Sequence, residues 1–244
     1  MGIERNYRKD SIPFKTEFVI PAPINDSNRI TALVLTFIAC IAAYLATNHF
    51  QYYEPRYLER LAIDYAVPMV PWTIGVYLSE YIYFPLAFFL LSKNLTRNIY
   101  LWSLGFVQVI SMLFFVFLPT AYPRHEFPVP ADAAWLSVQM FDFLRKMDTP
   151  CNSFPSLHVG ACFVTAFAFY HEARWKQALL IVWSIAIAAS TMTTKQHYFV
   201  DIIAGLTLAC ISAYIFVFKA KYQPMGEPLV QLNADNQGRN RQIS

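Results

Sequence analysis

Six long runs of apolar residues, separated by shorter polar stretches, dominate the chain. A helix needs about 20 predominantly apolar residues to cross the roughly 30 Å hydrocarbon core of a bilayer. The runs extend over residues 30–47, 71–91, 98–121, 157–170, 178–192 and 198–218, and the fourth and fifth are the shortest. The pattern therefore predicts an all-α protein, a bundle of six transmembrane helices over residues 29–219.

Polar segments flank and interrupt this predicted membrane domain. Residues 1–28 mix Pro, Asn and charged residues without periodicity and form a predicted cytoplasmic segment, and residues 220–244 have the polar composition of a disordered tail. The longest loop, residues 122–156, contains apolar residues at helical spacing over residues 131–146. We predict a short helix there that lies along the membrane surface and covers the bundle at that end.

The composition also indicates a membrane protein, since 56% of the 244 residues are hydrophobic and only 14% are charged. The net charge of +3 is too small to indicate a nucleic-acid partner. A cleavable signal peptide is an alternative for the first run, but the polar stretch before it is too long for an n-region. Three of the four cysteines lie inside apolar runs and Cys151 stands alone in a loop. Neither a disulfide framework nor a thiolate metal site is therefore predicted.

Basic residues are distributed unequally between the two sides of the predicted membrane domain. Thirteen Lys and Arg residues fall in segments that share one side with both termini, and six fall on the other side. By the positive-inside rule, the side with more basic residues is the cytoplasmic one. We therefore expect both termini in the cytoplasm and the starts of the fourth and sixth helices at the outer face. Short loops and the lack of a retention signal favour a bacterial inner membrane.

Two histidines stand at the starts of predicted helices, in "CNSFPSLHVG" and "KQHYFVDIIAG". Ser153 is a suitable helix cap and Pro155 suits a first helical turn. His158 is then expected near free backbone N–H groups, which favour an anion. His197 and Asp201 are four residues apart, so both side chains share one face of a helix. The carboxylate can hold one ring nitrogen of His197 and leave the other free to react.

Two basic residues, Arg124 in "PTAYPR" and Lys195 in "KQHY", are expected at the same end of the bundle. Each could contact a phosphate, or could instead be an anchor at the membrane interface. A nucleophile, an acid and positive charge are together the parts needed for phosphoryl transfer. Taken alone, each histidine is more typical of a polar helix end, and it is the joint pattern that favours catalysis.

Glu80 falls well inside the second apolar run. An ionisable residue within a membrane helix is by default a candidate functional residue, because burying its charge is costly. The alternative is a hydrogen bond from a neighbouring Tyr or Ser, and the sequence leaves both interpretations open.

At these residues the chain resembles the type 2 phosphatidic acid phosphatase superfamily, which comprises six-span lipid phosphatases and phosphotransferases. The family motif Pro-Ser-Gly-His matches "PSLH", and the motif Ser-Arg followed by His-x-x-x-Asp matches "STMTTKQHYFVD". The resemblance covers about residues 119–205. Leu157 replaces the motif glycine, Thr191 replaces the arginine after Ser190, and Phe117 occupies the lysine position of the first motif. These departures resemble the inositol phosphorylceramide synthase-like branch.

The resemblance implies a role for each motif residue. His197 would attack phosphorus to form a phosphohistidine, Asp201 would orient it, and His158 would protonate the leaving oxygen. The reaction would require no metal ion and no other cofactor. Substrate binding would involve Arg124, Lys195, Ser156 and Ser190.

The expected function is therefore that of a membrane lipid phosphatase, which removes phosphate from a lipid phosphate or diphosphate at the outer face. A transferase that moves a phospho-headgroup to a lipid alcohol, similar to inositol phosphorylceramide or sphingomyelin synthase, would use the same three residues. A non-enzymatic transporter is a further alternative, and intact His158, His197 and Asp201 argue against it. The sequence does not identify the lipid.

Overall fold

The computed structural model of the protein describes residues 18–225. Over these residues the regular secondary structure is helical apart from two pairs of short strands. Strand β1 (Val19–Ala22) pairs in parallel with β4 (Lys221–Pro224), and β2 (Arg56–Tyr57) pairs in parallel with β3 (Thr120–Ala121). The predicted all-α class is confirmed. The helices are α1 (Arg29–His49), α2 (Ala62–Ala66), α3 (Ile74–Leu78), α4 (Glu80–Leu90), α5 (Asn94–Phe117), α6 (Trp135–Met147), α7 (Leu157–Ala168), α8 (Arg174–Thr193) and α9 (Phe199–Ala213).

The apolar helical segments correspond to the six predicted runs, with bounds that differ by a few residues. The second segment joins a 3-10 turn to α3 and α4, and the last continues α9 as a π-helix. The fourth, Leu157–His171, is the shortest. The segments of the described chain that are long and apolar enough to cross a membrane are Arg29–His49, Pro71–Leu90, Asn94–Phe117, Arg174–Thr193 and Phe199–Lys219.

The short fourth segment is the centre of the bundle. Helix α7 packs against α4, α5, α8 and α9, and most of its residues are buried. Its apolar composition therefore reflects contacts with protein. Helix α1 is the opposite case, because it packs mainly against α5 and buries only Leu33 and Asn48. Its exposed apolar side chains form the kind of surface that lipid tails cover.

The β1 and β4 pair brings both ends of the described chain to one end of the bundle. Helix α9 leads directly into β4 through the π-helix, so the start of α9 lies at the opposite end. Residues 221–224, part of the predicted disordered tail, are thus ordered as a strand. Residues 1–17 and 226–244, which hold most of the two predicted terminal segments, lie outside the described residues.

The long loop before α7 contains the predicted helix, α6, which begins at Trp135 and ends at Met147. Its inner face carries Phe141 and Leu144, which pack against Ile74 and Tyr77 of α3. Leu136, Phe143 and Met147 remain exposed on another face of α6. The placement of this helix along a membrane surface stays a prediction.

The backbones of α7 and α9 approach closely where they cross. A Cβ atom added to Gly205 would lie 2.3 Å from the carbonyl oxygen of Ser156 and 3.2 Å from the nitrogen of Gly160. Just beyond this contact, the nitrogen of Ser156 donates a hydrogen bond to the carbonyl oxygen of Asp201, at 3.0 Å. The crossing therefore joins the first turns of the two helices that carry the predicted catalytic residues.

We expect Gly205→Ala to destabilise the protein, because the added methyl group must push the two helices apart. Overpacking of this kind typically costs about 1–3 kcal/mol. Gly105→Ala in α5 is a matched control, since nothing lies within 4 Å of the Cβ it would add, and it should be neutral or slightly stabilising. Thermal unfolding in detergent measures both variants. Equal unfolding temperatures for the two would contradict the close crossing.

Candidate active site

The first turn of α7 is formed differently from the sequence prediction. Ser156, and not Ser153, is the helix cap, and its hydroxyl oxygen accepts from the nitrogen of Val159 at 3.4 Å. Pro155 precedes this cap and so lies outside the first turn. Ser153 instead donates its hydroxyl to Thr120, at 2.9 Å. The cap lies closer to His158 than predicted, which places that histidine at the second helical position.

His197 is held in one defined tautomer. Its Nδ1 lies 2.9 Å from the carbonyl oxygen of Ser153 and 3.4 Å from Oδ2 of Asp201. Both oxygens can only accept a hydrogen bond, so Nδ1 carries the proton and Nε2 has a free lone pair. Within residues 18–225, Nε2 of His197 has no hydrogen-bond partner. Burial lowers the pKa of His197 to about 3, and the charges of His158 and Arg124 act in the same direction, so the ring is neutral at physiological pH.

His158 faces His197 across a short gap, with 5.5 Å between the ring centroids. Its Nε2 lies 3.0 Å from Oε1 of Glu80 and 2.7 Å from the hydroxyl oxygen of Tyr77. Glu80 is only 5% exposed, so its carboxylate is almost fully removed from solvent. The site thus contains two histidine and carboxylate pairs, Glu80 with His158 and Asp201 with His197.

Sequence reasoning identified Glu80 as a candidate but did not identify its partner. The expected alternative was a hydrogen bond from Tyr or Ser, whereas the structure places a histidine beside the carboxylate. Tyr77 was missed, although it lies three residues before Glu80 and shares its helical face. This three-residue spacing is the feature of the sequence that could have identified Tyr77.

Arg124 lies at the same site and is paired with an aspartate. Its guanidinium donates to Oδ2 of Asp148 at 2.6 Å and to the carbonyl oxygen of Asp148 at 2.9 Å. The hydroxyl of Tyr44 donates to the other carboxylate oxygen at 2.6 Å, and the Tyr44 ring lies 6.5 Å from that of His158. Burial alone would lower the pKa of Arg124, but the charge and hydrogen bond of Asp148 outweigh it and raise the pKa. Asp148 and Tyr44 were not predicted, and no local pattern marks them.

The other three residues predicted to bind substrate, Lys195, Ser190 and Ser156, use their side-chain polar groups in other hydrogen bonds. The ammonium group of Lys195 donates to the carbonyl oxygens of Asp64 and Val67, at 3.2 and 2.5 Å. The hydroxyl of Ser190 donates to the carbonyl oxygen of Ile187 in its own helix, at 2.6 Å. Ser156 caps α7. Arg124 is therefore the predicted binding residue that the structure brings together with the two histidine and carboxylate pairs.

Several buried polar atoms at the site lack a hydrogen-bond partner. They are Oε2 of Glu80, Nε of Arg124, Oδ1 of Asp201 and Oε1 of Gln196. Buried polar atoms in folded proteins are nearly always satisfied, so unpaired ones require an explanation. Four other such atoms lie elsewhere in the described chain, in Gln51, Tyr100, Ser103 and Ser111. The atoms of Glu80, Arg124 and Asp201 belong to residues paired at the site, and a polar ligand there could satisfy them. Within residues 18–225, no group of three or more His, Cys, Asp or Glu residues is arranged to hold a metal ion.

A family model described as the PAP2 superfamily matches residues 72–215. The matched region extends from the turn before α3 into the segment that follows α9, and includes both histidines, Glu80, Arg124 and Asp201. A comparison with curated proteins finds no match.

Proposed function

The chain belongs to the PAP2 superfamily of phosphoesterases and phosphotransferases, and on this premise we propose that it transfers a phosphoryl group from a lipid phosphoester through a phosphohistidine on His197. The observation that carries this proposal is the pairing of two facing histidines with two carboxylates. One ring nitrogen of each histidine is held by a carboxylate. The other nitrogen, Nε2 of His197 and Nδ1 of His158, has no partner among the described residues.

In the first step, the lone pair on Nε2 of His197 attacks phosphorus, and the bond from phosphorus to the leaving oxygen breaks. The electron pair of that bond goes to the oxygen, which takes a proton from Nδ1 of His158. His197 becomes positively charged as the phosphohistidine forms. Asp201, at 3.4 Å from Nδ1, stabilises this charge and fixes the ring orientation.

In the second step, the now neutral His158 accepts a proton from water or an alcohol, and that oxygen attacks phosphorus. The bond from phosphorus to nitrogen breaks, and its electron pair returns to Nε2 of His197. Throughout both steps, Glu80 and Tyr77 hold Nε2 of His158, so that Nδ1 exchanges the proton.

Arg124 is the proposed contact for the phosphate oxygens, because its Nε is buried beside the histidines without a partner. The first turn of α7 adds free backbone N–H groups, which favour an anion at this position. Ser156 and Ser190 were predicted to bind substrate as well. Contact with the phosphate would require their hydroxyls to exchange the helix bonds that they make in this structure.

A second candidate function, phospho-headgroup transfer to a lipid alcohol, is favoured by the charges at the site. Among residues 18–225, the guanidinium of Arg124 beside the histidines is already paired with Asp148, protonated His158 is paired with Glu80, and Asp201 adds a third carboxylate. A phosphodiester carries one negative charge, whereas a phosphomonoester carries up to two. A site with this little free positive charge fits the phosphodiester better.

The two candidates are separated by substrate and acceptor. We expect purified protein to act on a phosphodiester lipid such as phosphatidylinositol faster than on phosphatidic acid, and to respond to an added lipid alcohol. The measurement follows free phosphate, released headgroup phosphate and the new lipid by chromatography. Rapid release of phosphate from phosphatidic acid, with no effect of the alcohol, would identify a phosphatase instead.

The roles of the two histidines are separated by the leaving group. His197→Ala should abolish turnover of both a lipid phosphoester and p-nitrophenyl phosphate, since no other group replaces the nucleophile. His158→Ala should slow the lipid reaction by about 10²- to 10⁴-fold but affect the aryl substrate far less, because a phenolate leaves without a proton. Glu80→Gln should show the same selectivity in weaker form, and Asp201→Asn should slow both substrates. Equal losses on the two substrates for His158→Ala would contradict its role as the acid.

We further propose that the histidine end of the bundle faces outward and that both termini are cytoplasmic. In a cysteine-free background, Asp132→Cys in the loop before α6 should react with an impermeant thiol reagent added from outside. Ala173→Cys, exposed at the opposite end of the bundle, should react only after the membrane is permeabilised. The reverse labelling pattern would place the chemistry on the cytoplasmic side.

A further inference from the structure

The nucleophile lies on a short segment, residues 194–198, between α8 and α9. Two of its backbone nitrogens, those of Gln196 and His197, donate to the carbonyl oxygen of Thr191. Lys195 has a φ angle of 57°, in the left-handed region that non-glycine residues seldom adopt. Such a conformation persists only where the surrounding structure holds it. The question is what holds this segment.

Residues 61–73, which include α2 and the turn before α3, are bonded to Lys195 within this segment and to the residues that flank it, Thr193 and Phe199. Before the histidine, the nitrogen of Val70 donates to the carbonyl oxygen of Thr193 at 2.8 Å, and the hydroxyls of Thr73 and Thr193 lie 2.8 Å apart. The ammonium group of Lys195 adds its bonds to two carbonyl oxygens of residues 61–73. After the histidine, the nitrogen of Phe199 donates to Oδ1 of Asp64 at 2.7 Å.

The carboxylate of Asp64 accepts hydrogen bonds from backbone nitrogens at the starts of two helices. Its Oδ2 accepts from the nitrogen of Leu61 at the start of α2, at 2.8 Å, and its Oδ1 accepts from Phe199 at the start of α9. The residue is only 4% exposed. A carboxylate at a helix N-terminus is favourable, and a buried one needs such bonds. Asp64 and Asp201 thus both bind backbone N–H groups at the start of α9.

We propose that residues 61–73 form a strap that positions the nucleophile. Asp64 is a positioning residue, and the hydrogen bonds of Lys195 attach the strap to the 194–198 segment. Lys195 then acts through the 194–198 segment and not by contact with the substrate phosphate. Its ammonium group has two carbonyl partners and lies 5.0 Å from the ring centroid of Phe127, so binding a phosphate would break contacts already made. The expected effect of the strap on rate rests on the proposed phosphohistidine mechanism. The contact between residues 61–73 and the 194–198 segment does not depend on that mechanism.

The strap matters for rate because in-line attack requires the nucleophile at a defined distance and angle from phosphorus. A displacement of about 1 Å can cost about 10²-fold in rate. Loosening the start of α9 would move the imidazole of His197 without removing it. The loss should therefore appear in kcat, while substrate binding through Arg124 and α7 remains.

The test compares Asp64→Ala with Asp64→Asn and Lys195→Met. Asp64→Ala removes the acceptor for Phe199 and should lower kcat by about 10- to 100-fold with KM nearly unchanged. Asp64→Asn keeps one acceptor oxygen, which can still bind the nitrogen of Phe199 while the bond to Leu61 is lost, and it should therefore lose less activity than Asp64→Ala. Lys195→Met should also lower kcat at constant KM. The double variant Asp64→Ala with Lys195→Met should lose less than the product of the two single losses, because both act through one segment.

Glu172→Ala provides a matched control. Glu172 also caps a helix from a distant segment, since it accepts from the nitrogens of Ser92 and Lys93 at the start of α5. It lies at the end of the bundle opposite the histidines, so its loss should lower the unfolding temperature and leave kcat unchanged. If Asp64→Ala and Glu172→Ala reduce kcat equally per folded molecule, the strap is merely structural. A rise in KM alone for Lys195→Met would instead identify a phosphate contact.

Hydrogen exchange supplies a readout that does not depend on catalysis. In Asp64→Ala, amide exchange in a peptide covering residues 193–201 should accelerate, while a peptide from α7 keeps its wild-type rate. Unchanged exchange in residues 193–201 would overturn the strap, whatever the activity shows. If exchange accelerates but the wild-type protein forms no phosphohistidine, the strap stands and the proposed function fails.

Discussion

The hydrogen bond from the nitrogen of Ser156 to the carbonyl oxygen of Asp201 joins the first turns of α7 and α9. It can form only because Gly205 leaves room for the backbone of Ser156, where a methyl group would lie 2.3 Å from an oxygen. His158 lies in the first turn of α7 and His197 directly precedes the cap of α9, so the backbone contact holds the two rings near each other, 5.5 Å apart. The absence of a side chain at Gly205 thereby sets the spacing of the two histidines.

Around this contact, an apolar bundle holds an unusual number of charged groups. Unpaired charges in such surroundings are costly, and each charged residue at the site has a partner. Glu80 is paired with His158, Asp201 with His197, and Arg124 with Asp148. The pairs are not equivalent. Each histidine has one ring nitrogen without a partner in the described part of the chain, whereas both carboxylate oxygens of Asp148 accept hydrogen bonds. Pairing therefore lowers the cost of burying these charges, and under the proposed mechanism the second nitrogen of each histidine is the one that reacts.

The sequence predicted the features that depend on local spacing. The length of the apolar runs indicated the six apolar segments. The four-residue spacing of His197 and Asp201 indicated that these two residues pair. Contacts between distant segments left no such signal. Glu80 and His158 are on separate helices, and Asp148 follows a surface helix without any motif. The apolar composition of α7 is compatible with a lipid-facing helix and with a helix buried at the centre of the bundle. The sequence therefore did not reveal that α7 is the central helix.

Two further differences have physical reasons. Ser153 and Ser156 are both good helix caps, and the choice of Ser156 follows from tertiary bonds that Ser153 makes with Thr120 and His197. Lys195 was expected to bind phosphate because it is a cation near a nucleophile. Its left-handed backbone turns the side chain toward residues 61–73, and periodicity does not predict that conformation.

The pairing of β1 with β4 has a consequence for the order in which the protein assembles. The two strands stand at opposite ends of the described chain, so their ladder can close only after the last helix has been synthesised. Contacts between residues so far apart in sequence form late, because closing a long loop costs entropy before any contact compensates for it. Strand β1 leads into α1, so the closed ladder also holds the start of α1 beside the end of the last helical segment. This joining of the first and last helical segments therefore follows the synthesis of the helices between them.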